Sequence, residues 1–352
     1  MSKSIISLGI MSGTSLDGVD LAICRFTEEQ DIWHYEILYA ETIPYDASMK
    51  NHLSEAHCLS GVDFLKAHNN YGRFLGSLCQ QIIANSGITP DIISSHGHTI
   101  FHQPEKKFTF QMGSGASILA ETGITTVCDF RITDVALGGQ GAPLVPIGDQ
   151  LLFHQYPYCL NLGGIANISY KSGNTIHAWD ICPANMALNY IAGLEGKEYD
   201  LNGDIAHSGS FSQDLFDNLN SITYYSQFPP KSLGKEWFTQ DFLPHLIYHP
   251  ASNSDKLHTL CRHIAFQISH ALKMNPTAAV LSTGGGSHND FLIKMIREYA
   301  DNSIIIPDKQ TINFKEALIF AFLGVLRTEN KINCLSSVTG APKDSVCGII
   351  YK

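Results

Sequence analysis

YCLNLGGIANISY, residues 158–170, consists of two short apolar runs joined at Gly163-Gly164. Apolar runs of this length, broken by a glycine pair, read as strand, tight turn, strand. TIHAWDI (175–181) supplies a third strand, and Pro183, a residue suited to a first helical turn, predicts a helix directly after it. The same order opens the chain: SIISLGIM (4–11), a polar turn MSGTSLDG (11–18), VDLAICRF (19–26), then WHYEILYAETI (33–43). Helical stretches at about 47–57 and 63–86 and a strand DIISS at 91–95 follow. Further on, a helix of about 256–273 leads into the strand AAVLST (278–283), the triple glycine Gly284-Gly285-Gly286 and another helix from about 289. Two segments that each begin as a three-stranded meander and continue as alternating α/β predict a duplicated α/β fold around a cleft.

Length agrees with two lobes, since 352 residues exceed the ~250–300 at which a single core usually stops growing. The Gly/Pro-rich stretch LGGQGAPLVP (137–146) is the natural hinge, which divides the chain into 1–136 and 137–352, with about 314–352 free to pack back on the first lobe. Apolar residues make up 44% and charged residues 16%, the composition of a compact globule. The formal charge of −10 and the absence of any basic run longer than Lys106-Lys107 exclude a nucleic-acid footprint and favour small-molecule partners. No apolar stretch is long enough to cross a membrane, and MSKSIISLGIMSG lacks the layout of a signal peptide, so the expected location is the cytoplasm. Nine cysteines, never spaced C-x-x-C, suggest neither a disulfide framework nor a zinc ribbon.

Three glycine turns, MSGTSLDG (11–18), NLGGIAN (161–167) and STGGGSHN (282–289), each follow an apolar strand. Open α/β sheets place ligands there, and convergent backbone N–H groups in such turns bind phosphate oxygens. None matches a Walker or Rossmann pattern. In the first, Asp17 and Asp20 beside the hydroxyls of Ser12, Thr14 and Ser15 suit a phosphate-bound Mg²⁺, held directly or through its waters.

Longer motifs then identify a family. GIMSGTSLDGVD (9–20), SHGHTIFHQP (95–104), DFRITDVALGGQGAPLVP (129–146), LNLGGIANIS (160–169), YDLNGDIAHSG (199–209), PPKSLGKEWF (229–238), STGGGSHN (282–289), KEALIFAFLGVLR (315–327) and SVTGA (337–341) resemble the anhydro-N-acetylmuramic acid kinases, members of the actin, hexokinase and Hsp70-like ATPase superfamily. The resemblance implies two RNase H-like lobes closing over ATP and a sugar, and a homodimer. It implies a kinase that hydrolyses the 1,6-anhydro bond of 1,6-anhydro-N-acetylmuramic acid and phosphorylates O6, in peptidoglycan recycling. The nucleotide would be bound by Ser12, Gly13, Thr14, Ser15, Leu16, Asp17, Gly18, Val19 and Asp20, with Gly163 and Gly164 also on the phosphates and Gly284, Gly285 and Gly286 near the adenosine.

Hydrolysis needs a carboxylate base, and phosphoryl transfer needs charge neutralisation by Mg²⁺ and backbone donors. Asp180 in "WDICPAN" matches the family's base; its alternative is a cap for the helix after Pro183. Glu316 matches a glutamate near the sugar, and its alternative is a solvent-facing carboxylate beside Lys315. Arg131 and Gln140 match the sugar-side lining, where an Arg suits a lactyl carboxylate. His96, His98 and His102 invite a metal, but hydrogen bonding in the sugar cleft is preferred. Lys231 reads equally as a phosphate contact or a loop brace.

The chain departs from the family pattern in three places. Cys182 and Ala184 stand where the family usually has glycine, and His98 stands where it has Gln. Cβ atoms there predict an ordinary backbone and less space beside the base. These changes motivate another 1,6-anhydro sugar as the alternative substrate, and a non-catalytic sugar or nucleotide sensor is the alternative from another class.

Overall fold

Apolar, β-branched and aromatic residues make the first strands long: β1 (Lys3–Ser12), β2 (Gly18–Glu29) and β3 (Ile32–Pro44) form an antiparallel meander. The computed structural model describes residues 3–173 and 175–352. Beside β1, in parallel, lies β4 (Ile92–Gln103), which runs well beyond the DIISS segment because β5 (Phe108–Met112) folds back and pairs with its second half. β6 (Thr126–Cys128) continues the parallel part, and the chain's last strand, Ile349–Tyr351, pairs with it antiparallel.

In the second sheet, β7 (Tyr158–Leu162), β8 (Ile165–Ser172) and β9 (Thr175–Pro183) are antiparallel, while β10 (Val280–Thr283) and β11 (Ile304–Ile305) run parallel to β7. The spatial orders, β3-β2-β1-β4-β6 and β9-β8-β7-β10-β11, are the same topology twice, the RNase H-like order. The duplicated α/β fold is therefore present. One core packs Leu8, Ile10, Leu21 and Ile23 against Leu75, Cys79 and Ile82 of the helix Gly61–Ser86. The other packs Leu160, Ile168, Trp179 and Ile181 against the helices Asn185–Leu194, Asn253–Ala271 and Asp290–Tyr299. Each fully buried Leu or Ile contributes roughly 1.5–3 kcal/mol.

The two compact units are Met1–Phe153 with Phe314–Lys352, and His154–Asn313. The boundary at 136/137 is thus displaced, because the Gly/Pro stretch is tied into the first unit. Asp134 accepts from Gly141 N–H at 2.7 Å and from Thr339 Oγ1 at 2.8 Å, and Gln140 N–H donates to Thr339 O at 2.8 Å.

The helix Lys309–Thr328 lies, from Phe314 onward, against small residues of the first sheet. Ser7 Oγ donates to Ala321 O at 3.0 Å, and Ser94 Oγ donates to Phe320 O. At Gly9 a Cβ would stand 1.9 Å from Ala317 O, and one on Gly324 would stand 2.6 Å from Ser94 Cβ. Such contact between backbones is open only to glycine. Gly9→Ala is expected to lower stability by at least about 1–3 kcal/mol, read as an earlier urea midpoint at unchanged slope. Gly193, with nothing within 4 Å of its would-be Cβ, is the control: Gly193→Ala should be neutral or stabilising by up to about 1 kcal/mol.

Candidate active site

In the first unit the turn between β1 and β2 presents Gly13, Thr14, Ser15 and Asp17 near or at the surface, while Ser12 and Val19 are buried. Tyr45 brackets this turn: its N–H donates to Asp17 O at 3.2 Å, and its hydroxyl lies 2.7 Å from Ser12 Oγ and 2.5 Å from Tyr71 OH. Leu16 has φ +61°, rare for a side chain with a Cβ, and is held there by packing onto the core. Gly18 is needed for the sheet, since a Cβ would meet Ile43 O at 2.4 Å. Of the nine residues expected around the phosphates, Ser12, Leu16, Gly18 and Val19 are therefore engaged by the protein. Gly13, Thr14, Ser15, Asp17 and the half-buried Asp20 carry the accessible polar groups. Burial, and secondarily the charge of Asp17, raises the Asp20 pKa, while Thr42 Oγ1, donating at 2.5 Å, opposes the rise.

A bulge in β4 separates the histidines. Ile10 pairs with Ser95 but Ser12 pairs with His98, with Gly97 at φ +73° between them. His98 Nδ1 lies 2.8 Å from Ser12 Oγ, and burial lowers its pKa to about 4, so the ring is neutral. His96 lies 2.9 Å from Gly97 O through Nδ1, while its Nε2 accepts from Arg131 Nε at 3.1 Å and Nη2 at 3.0 Å. His102 Nδ1 lies 3.0 Å from Thr109 Oγ1. The three rings thus bond to different protein groups rather than to one shared centre.

Arg131 also donates through Nη1 to Gly141 O at 2.7 Å. Burial lowers its pKa to about 10, so it stays protonated at neutral pH, and the nearby charge of Glu316 opposes the shift. Glu316 keeps solvent access although protein crowds it on most sides. Its pKa is raised, by that loss of hydration first and by Asp20, against the pull of Arg131 and Lys315. Lys315 itself is buried, with Nζ 2.7 Å from Asp149 Oδ1. The first unit therefore brings Asp20, Arg131 and Glu316 together. Gln140 is exposed on the neighbouring loop.

In the second unit Asp180 sits just before a bulge: Asn167 pairs with Asp180 but Ala166 pairs with Cys182, so Ile181 is an extra residue. Oδ2 of Asp180 accepts from Leu233 N–H at 2.8 Å, Asp180 N–H donates to Lys231 O at 3.1 Å, and Tyr224 OH donates to Asp180 O at 2.7 Å. The carboxyl is half-buried, and desolvation raises its pKa against the Leu233 bond. Lys231 Nζ braces this loop, donating to Tyr224 O at 3.1 Å and lying 4.4 Å from the Tyr224 ring centroid.

Asp180 is not a helix cap. The strand continues through Pro183 and the helix opens only at Asn185, because Gly163 and Gly164 carbonyls accept from Ala184, Asn185 and Met186 N–H. Cys182 and Ala184 have negative φ and are fully buried in the core, so their Cβ atoms take up no space at the surface beside Asp180. Burial also pushes the Cys182 thiol well up, which makes it a poor nucleophile.

The second and third glycine turns meet. Gly284 has φ +82°, where a Cβ would stand 2.5 Å from Asn161 Oδ1, and a Cβ on Gly286 would stand 2.8 Å from Leu162 Cβ. Asn185 Nδ2 donates to Leu162 O at 3.0 Å beside them. Gly164 and Gly285 are the exposed members, where a Cβ would meet nothing nearer than 3.7 Å. Tyr45, Tyr224 and Leu233 escaped the sequence reading; Leu233 acts only through its backbone, which no side-chain pattern reveals.

The family model described as anhydro-N-acetylmuramic acid kinase matches residues 5–352. The anhydro-N-acetylmuramic acid kinase of Vibrio parahaemolyticus serotype O3:K6 is 34% identical, over 98% of this chain and 97% of its own. That of Francisella tularensis subsp. novicida is 34% identical over 99% of both. Among solved structures, the (R)-2-hydroxyglutaryl-CoA dehydratase component A of Acidaminococcus fermentans aligns with 92% of this chain and 99% of its own at 12% identity and a TM-score of 0.47.

Two substitutions separate packing from binding in the joined turns. Gly284→Ala is expected to destabilise by about 1–3 kcal/mol, seen as a lower melting temperature. Gly285→Ala should leave the melting temperature nearly unchanged and weaken ATP binding, measured by titration calorimetry.

Proposed function

The chain belongs to the anhydro-N-acetylmuramic acid kinase family, and from that premise we propose how its residues divide the two-part reaction. Asp180 is the general base. As its carboxylate takes a proton from water, the water oxygen bonds to the anomeric carbon and the bond from that carbon to O6 breaks. O6 then attacks the γ-phosphorus of ATP, giving N-acetylmuramic acid 6-phosphate and ADP, and Asp180 releases its proton to solvent. The observation that carries this assignment is the Leu233 N–H bond, which holds one carboxylate oxygen at 2.8 Å and orients the other.

In the first unit, Glu316 accepts a sugar hydroxyl or orients the water, and Arg131 holds the lactyl carboxylate with Gln140 on the adjoining loop. Their grouping supports this reading: a cation and two carboxylates whose charges act on one another. Gly13, Thr14 and Ser15 contact phosphate oxygens together with Gly163 and Gly164, and Gly285 lies near the adenosine. Asp17 and Asp20 are the groups that would hold Mg²⁺, in part through water. Their mutual charge and the burial of Asp20 disfavour two bare carboxylates, which a cation would relieve. When bound, Mg²⁺ neutralises charge on the transferring phosphoryl group.

Muramic rather than another anhydro sugar is favoured, because Cys182, Ala184 and His98 are all absorbed in buried packing. A homodimer and a cytoplasmic location complete the proposal. All nine cysteines are free, as a reducing compartment would keep them. Among the described residues no helix is long and apolar enough to cross a membrane.

Asp180→Asn should abolish ADP release with 1,6-anhydro-N-acetylmuramic acid while leaving ATP affinity within about twofold, since the amide cannot accept the proton. The base works ionised, and its pKa is raised above 3.8. The acid limb of the wild-type kcat profile should therefore fall at higher pH than an exposed aspartate would set. Turnover by the Asn variant would sink the assignment.

A further inference from the structure

The bulge in β4 places a second histidine where the reaction itself needs none. His96 is 5% exposed, packed 4.7 Å from the Phe320 ring, and spends both ring nitrogens on defined partners. Its Nδ1, against Gly97 O, carries the hydrogen, which leaves the Nε2 lone pair as acceptor for Arg131. Burial first, and then the charge of Arg131, pushes its pKa well down, so that the ring stays neutral and able to accept. Two Arg131 nitrogens converge on that lone pair, and Nη1 is fixed on Gly141 O. Gly141 is held in turn by Asp134. A guanidinium has five donors; three are used here, and the remaining N–H on each of Nη1 and Nη2 forms a two-pronged edge. Such an edge matches a carboxylate bidentately, provided that the plane does not rotate.

We propose that His96 is a positioning residue for substrate recognition: as a neutral acceptor it locks the plane of Arg131, so that the outer guanidinium edge selects a sugar bearing a carboxylate. This rests on the assignment of Arg131 to the lactyl group. The groups facing Arg131 are His96 and, farther along β4, His102, with Glu316 from the helix Lys309–Thr328 and Cys334 from the segment after it; His98 lies near His96. A rotated guanidinium would turn toward Glu316, so losing the lock costs affinity for the acidic sugar specifically.

The test compares His96→Gln, which keeps a carbonyl acceptor, with His96→Met, of similar volume and no comparable acceptor, in the intact protein. Dissociation constants are measured by calorimetry for 1,6-anhydro-N-acetylmuramic acid and for 1,6-anhydro-N-acetylglucosamine, which lacks the lactyl group. His96→Met should weaken the acidic sugar by about tenfold, with the neutral sugar unchanged and kcat at saturation within about threefold. His96→Gln should recover most of the loss. Equal weakening of both sugars by His96→Met, or Gln and Met behaving alike, overturns the proposal. Arg131→Ala separates the two levels. If it leaves the preference for the acidic sugar intact, the assignment of Arg131 fails. If it removes that preference while His96→Met does not, the positioning role fails alone.

Discussion

The first unit depends on one close approach, the backbone of the helix Lys309–Thr328 lying directly on a strip of small residues in its sheet. Gly9, Ser7 and Ser94 leave no side chain thick enough to hold the helix off, and the two serines bond its carbonyls. Ordinary helix–sheet packing separates the layers by side chains; here the helix sits lower, and its first turns carry Lys315 and Glu316 to fixed positions. The buried Lys315–Asp149 pair then anchors one of these residues, so its neighbour has little freedom. A buried pair adds little net stability, but it makes any register shift of the helix costly, because a shift would strand two charges.

The second unit solves the same problem by different means. Asp180 is held by a bulge in its own strand and by a loop that pairs with it from both sides, through Lys231 O and Leu233 N–H. The glycine turns, for their part, act as much on each other as on a ligand. Gly284 and Gly286 let the third turn approach Leu162, and the carbonyls of Gly163 and Gly164 hold the start of the helix Asn185–Leu194. Glycine there lets the backbone pack closely, and only Gly164 and Gly285 are left with an open face.

The strands and their duplication were legible because alternation and glycine turns are local signals. The first three strands and the second meander match the observed ones to within a few residues. Asp180, Glu316 and Arg131 could be picked out through family motifs that cover most of the chain. What escaped depends on distant partners. Pro183 looked like a helix opener, but carbonyls some twenty residues upstream draw it into the strand. His98 bonds Ser12 of another strand, a partner that no local pattern reveals. Cys182 and Ala184 suggested altered substrate range only while the direction of their side chains was unknown. The domain boundary was misplaced for the same reason, since Thr339 and Asp134 are about two hundred positions apart.

The first sheet is completed by Ile349–Tyr351, and its covering helix comes from residues after Asn313, whereas the second unit is a single continuous segment. During synthesis, therefore, the segment made later has all its own contacts first. The second unit can reach its native state once residue 313 has left the ribosome, while the older N-terminal strands wait with the strip around Gly9 uncovered. Order of completion and chain order are thus reversed, and the uncovered sheet is the part of the nascent protein left longest with apolar surface and strand edge open.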